Sequence, residues 1–71
     1  MVEDNVKIVL DVLARNKAMS LVELMSVVNM PDTEVQNIVK ELELQNLVRV
    51  SKGGVLEEIV AIREEGLRAA V

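Results

Sequence analysis

Seventy-one residues, 51% of them apolar, suffice for one small domain spanning 1–71 and are too hydrophobic for a disordered segment. The chain has no Cys and no His, which excludes disulfides, thiol chemistry and Cys/His zinc sites and removes the usual general base; the lack of Phe, Tyr and Trp removes the stacking platforms of single-strand binders. A net charge of -4 runs against the basic balance usual in nucleic-acid binders.

The charge is unevenly spread. Residues 1–34 carry three basic and six acidic side chains, and residues 57–71 carry two basic and four acidic ones. Residues 35–56 alone are net positive, with Lys40, Arg49 and Lys52 against Glu41 and Glu43. No apolar run approaches the length of a membrane span, and the start, Met1 to Lys7, does not read as a signal peptide. These features point to a cytoplasmic protein with no membrane partner.

Met1 to Asp4 is expected to fray. A first helix is expected over about 4–15, with Val6, Val9, Leu10 and Leu13 as its buried stripe. Ile8 and Val12 widen that stripe beyond what one packing partner needs, so the helix either sits between two elements of its own domain, with the last helix available to cover it, or also contacts another chain, as in a homodimer through this helix and the last one. Asn16 is the expected left-handed cap, with Arg15 and Lys17 favourably placed at the carboxyl end. Ala18 and Met19 form a short extended link.

Ser20 to Glu23 forms a capping box, with Met19 and Leu24 placed as its hydrophobic staple. A second helix follows over 21–28, burying Leu21, Leu24, Met25 and Val28. Asn29 closes it, Met30 fills the corner, and Pro31 and Asp32 open a third helix over 32–45. Two helices joined by so short a turn form a helix-turn-helix unit. Val35, Ile38, Val39, Leu42 and Leu47 supply the apolar face of the third helix and its exit. Thr33, Glu34, Gln36, Asn37, Lys40 and Glu41 fall largely on other faces. Leu44 lies off the apolar face, as a single exposed leucine or a contact for the wing or a partner.

Asn46 is expected in the left-handed region at the helix end. Val48 to Ser51 reads as a strand, Lys52-Gly53-Gly54 as a hairpin turn in which glycine supplies positive φ, and Glu58 to Ile62 as the return strand. A last helix begins near Ile62, with Leu67, Ala70 and Val71 placed to dock on the first. The pairs Glu57-Glu58 and Glu64-Glu65 read as solvated faces rather than catalytic or cation-binding carboxylates. Gly53-Gly54 lacks the spacing of a phosphate loop. No enzyme, cofactor or metal site is indicated.

This order of elements resembles the winged helix-turn-helix family, most closely the small regulator domains of MarR and ArsR type. The resemblance covers about Val6 to Leu67 and rests on three stretches: Ser20 to Leu24, Leu42 to Val48, and Ile62 to Gly66. It implies a mainly α fold with a small β-hairpin: a three-helix core, a wing over 48–62 and a short C-terminal helix. Departures are Asn29 and Asn46 in place of glycine, Leu44 in place of a polar residue, Arg63 in place of a capping Thr, and a single basic residue, Lys40, on the third helix. The implied function is the DNA-binding module of a transcription regulator. Thr33, Gln36, Asn37 and Lys40 would reach bases or phosphates of double-stranded DNA in the major groove, and Arg49 and Lys52 would hold the backbone. Glu34, Glu41 and Glu43 would oppose phosphate if they shared the exposed face. The alternative is a winged-helix protein-protein interaction module within a larger complex, favoured by the acidic balance.

Overall fold

In the computed structural model, backbone is described for residues 2–54 and 57–70 and side chains for residues 4–52 and 58–70. The elements run α1 (Val2–Asn16), β1 (Ala18–Ser20), α2 (Leu21–Val28), α3 (Asp32–Leu44), β2 (Val48–Gly54), β3 (Glu57–Ile62) and α4 (Glu64–Ala69). Helix α1 already includes Val2 to Asp4, where fraying was expected. The three long helices and one face of the sheet close around an all-aliphatic core. Val9 and Leu13 of α1, Leu24 of α2, Val35 and Leu42 of α3, Val48 of β2 and Val60 of β3 are fully buried in it.

The expected widening of the α1 stripe is only half realised. Val6 and Val12 pack against the core as partly buried side chains, whereas Ile8 is 45% exposed. At 100° per residue Ile8 shares the side of α1 opposite the core with Asp4, Asp11 and Arg15. The left-handed residue after α1 is Lys17 (φ 70), not Asn16. The Lys17 N–H donates to the Leu13 carbonyl (2.8 Å), and the Asn16 side chain donates to the Val12 carbonyl (2.9 Å). The shift of one residue has a tertiary cause: the Lys17 carbonyl accepts from the Ile62 N–H at 2.8 Å, which sets the chain into β1.

Residues 18–20 are a strand rather than a link. The sheet has the order β1-β3-β2, antiparallel throughout, with Met19 opposite Val60 and Val50 opposite the same residue on the other side. The sheet is thus three-stranded, one strand more than the expected hairpin. Strand β2 runs through Gly53 and Gly54, and the register shifts between Lys52 and Gly54, so this segment bulges rather than turns. No glycine with positive φ occurs among the described residues. Positions 55–56, between β2 and β3, lie outside the described residues, as does the expected docking of Val71.

Helix α2 begins as its sequence dictates. Ser20 Oγ accepts from the Glu23 N–H at 3.1 Å, and Glu23 Oε1 accepts from the Ser20 N–H at 3.3 Å. Met19 and Leu24 are both buried. Asn29 ends the helix in the left-handed region, with φ 53 and ψ 49. Pro31 takes the capping position of α3 and not its first turn, without a side-chain cap. The three-residue turn 29–31 completes the helix-turn-helix.

Candidate nucleic-acid interface

Helix α3 turns Val35, Ile38, Val39 and Leu42 inward, and this choice fixes what faces out. At 100° per residue, Thr33, Asn37, Lys40 and Leu44 form the stripe diametrically opposite the core. All four are exposed. Gln36 and Glu43 flank the stripe towards the sheet, and Glu34 and Glu41 flank it towards α1.

The carboxyl end of α3 is closed by a Schellman motif. The Leu47 N–H donates to the Leu42 carbonyl (2.9 Å) and the Asn46 N–H to the Glu43 carbonyl (3.0 Å), with Asn46 at φ 63. The chain therefore reverses directly into β2, and the sheet lies beside α3. Between them runs an open groove of about 300 Å³. Leu21, Val39, Val50 and Val60 supply its apolar lining, and Gln36, Asn37, Lys40, Glu43 and Glu58 its polar one. A second groove of about 330 Å³ on the α1 side is lined by Val6, Glu34, Asn37, Ile38 and Glu41. There the Asn5 side-chain amide donates to the Glu34 carboxylate. Glu34 is thereby tied towards α1.

The structure thus gathers Gln36, Asn37 and Lys40 around one groove and sets Thr33 one turn earlier on the same helix side. Arg49 and Lys52 are both exposed but do not form a pair. Strand pleat puts Lys52 on the same sheet face as Val48 and Val50, with Glu58 as its cross-strand partner. Arg49, opposite Ala61, lies on the other face. The ion pair among the described residues is Arg68–Glu64 at 2.7 Å on α4, so Lys40, Arg49 and Lys52 engage no carboxylate within 4 Å there. Sequence reasoning missed Glu58 as a groove residue. The strand alternation that sets it beside Val60 was readable, but the docking of that face against α3 was not.

Among the described residues no helix is long and apolar enough to cross a membrane, and no cluster of three or more acidic side chains could hold a metal ion.

No protein-family model and no curated protein sequence matches the chain. Solved structures do. AF1382 from Archaeoglobus fulgidus superposes with a TM-score of 0.86 at 20% identity, over 94% of this chain and 77% of that one. BpsR of Bordetella bronchiseptica, whose DNA binding is regulated by 6-hydroxynicotinic acid, gives a TM-score of 0.76 at 20% identity, over 92% of this chain and 47% of its own. AntR, an antimony-specific transcriptional repressor, gives 0.77 at 23% identity, over 90% of this chain and 58% of its own. The chain spans about half the length of BpsR and of AntR. At these identities the likeness speaks for architecture: the chain has the winged helix-turn-helix fold.

Proposed function

We propose that this chain, as one domain, is the DNA-binding module of a transcription regulator, with α3 as the recognition helix and the β2–β3 hairpin as the wing. One observation carries the reading. The outermost stripe of α3 holds Thr33, Asn37 and Lys40 exposed, with the carboxylates of Glu34, Glu41 and Glu43 on its flanks and not on the stripe itself, on a helix presented by a helix-turn-helix. The DNA binding of BpsR and the repressor role of AntR support it through the shared fold. Gln36 and Asn37 offer paired donors and acceptors for adenine, and Lys40 a cation for guanine or phosphate. Arg49 and Lys52 add backbone contacts without sequence information.

So few cations give weak binding per chain. The reading therefore includes a cytoplasmic homodimer built on α1, where Ile8 is exposed, and on α4, which packs against α1. Sedimentation at increasing concentration is expected to show the dimer; a strict monomer would remove it. The interface itself is tested by Gln36→Ala and Asn37→Ala. Each is expected to flatten the preference between duplex sequences, at about 1–3 kcal/mol for a bidentate contact. Unchanged preference in both would take the sequence-reading role away from α3.

Glu43 and Glu58 favour a second reading. They place two carboxylates beside Lys40 in the sheet-side groove. That mixed, apolar-lined surface suits a protein segment carrying its own cations, as in an interaction module.

A further inference from the structure

We propose that the outer edge of β2 takes an extended, acidic segment of a partner protein as a further antiparallel strand of the sheet. The inference goes beyond the DNA-binding reading and is tested without nucleic acid, so either can fail alone.

Strand β2 closes one side of the sheet, because the strand order is β1-β3-β2. Two hydrogen bonds fix which of its backbone groups are already used. The Arg63 N–H donates to the Leu47 carbonyl at 2.9 Å, and the Ile62 N–H donates away from β2, to the Lys17 carbonyl, at 2.8 Å. With Val48 opposite Ile62 and Arg49 opposite Ala61, alternation turns the N–H and C=O of Arg49 and Ser51 towards β3. It turns those of Val50 and Lys52 outwards. Among the described residues no hydrogen bond outside the sheet reaches these outward groups. Val50 is half-buried, and Ser51 and Lys52 are exposed. The open edge is bounded by the buried Val48 and by the bulge after Lys52. Such a row of unpaired groups is a template for another strand.

Charge selects the occupant. Strand β2 carries Arg49 and Lys52 and no acidic residue. A second copy pairing antiparallel about Val50 sets the two Arg49 side chains diagonally across one face, and pairing about Ser51 does the same to Lys52. An acidic strand instead meets both cations. Neither has a carboxylate within 4 Å among the described residues, since Glu58, the cross-strand neighbour of Lys52, forms no ion pair with it. Register then states what the incoming strand presents. A carboxylate belongs opposite Lys52, an apolar side chain opposite Val50 on the same sheet face, and a second carboxylate opposite Arg49 on the other face. In antiparallel order this is acidic, any residue, apolar, acidic. Arg49 and Lys52 are thereby shared with the phosphate contacts proposed for the wing.

The probe is the acetylated, amidated peptide Thr-Glu-Thr-Val-Glu-Thr, added to the full chain and followed by amide hydrogen exchange. Binding is expected to slow exchange at Val50 and Lys52 and to leave Arg49 and Ser51, already bonded to β3, unchanged. Methylating the peptide's Val nitrogen, which faces β2, is expected to weaken binding about tenfold. Methylating the Thr nitrogen just before it, which faces away, is expected to change little. The double variant Arg49→Ala, Lys52→Ala should retain the parent's melting curve, both residues being exposed, and bind the peptide more weakly. Absence of binding overturns the proposal, as does protection confined to residues outside β2. Equal effects of the two methylations would reduce the contact to charge alone and overturn the added strand. A peptide with Lys in place of both Glu that binds as well overturns the acidic partner. Protection of Val50 and Lys52 that rises with chain concentration in the absence of peptide overturns it too, by giving the edge to a second copy.

Discussion

Gly66 in α4 lies directly against the Leu47 carbonyl, so closely that a β-carbon on Gly66 would overlap it. That carbon would also stand 2.7 Å from Ile62 Cγ1 and 3.1 Å from the Leu47 carbonyl carbon. The same carbonyl accepts from the Arg63 N–H at 2.9 Å. The start of α4 is thus joined to the residue through which α3 passes into the wing. Gly66 is buried, with helical rather than left-handed φ, so proximity and not backbone freedom requires the glycine.

Gly66→Ala is accordingly expected to destabilise the fold by about 1–3 kcal/mol, since backbone cannot yield as a flexible side chain would. Urea denaturation reads this as a lower midpoint at constant slope. An unchanged midpoint would show that α4 can shift freely away from Leu47.

Removing the capping box has a smaller and local cost. Ser20→Ala deletes the acceptor for the Glu23 N–H and is expected to cost about 1 kcal/mol. Ser20→Thr and Ser20→Asp keep an acceptor and are expected to recover most of it. A melting curve that treats all three variants alike would mean that β1 pairing, and not the cap, fixes this corner.

Lys17 and Asn46 both sit at positive φ, with values of 70 and 63, yet they differ in what glycine would change. A lysine there carries the steric cost of its β-carbon, whereas asparagine tolerates the region. Lys17→Gly is expected to raise stability by about 0.5–1 kcal/mol, and Asn46→Gly to change it by less. Equal effects at both positions, measured by thermal unfolding, would contradict this assignment of strain.

Local signals were legible in the sequence and long-range ones were not. The capping box at Ser20, the left-handed Asn29 and Asn46, and the inward face of α3 each depend on residues within a turn or two, and each stands as read. Strand β1 has three residues, too few for an alternating pattern, and exists only because Ala61, Val60 and Ile59 pair with it from some forty positions away. The same pairing moved the cap of α1 from Asn16 to Lys17. The need for glycine at position 66 also comes from a distant neighbour, the Leu47 carbonyl. For the interface, the outward stripe of α3 follows from helical periodicity alone. The entry of Glu58 into its groove, and the separation of Arg49 from Lys52 by the β2 pleat, required the sheet.

The most direct test of DNA binding is a titration of the parent chain and the double variant Arg49→Ala, Lys52→Ala with random-sequence duplex DNA at low and moderate salt. If Lys40, Arg49 and Lys52 meet phosphates, the logarithm of the parent's affinity should fall against that of salt with a slope of about -3 per chain. The double variant should bind all sequences more weakly, with a slope shallower by roughly two. Equal binding by parent and variant, or none by either, would contradict the account and give the surface of α3 to a protein partner.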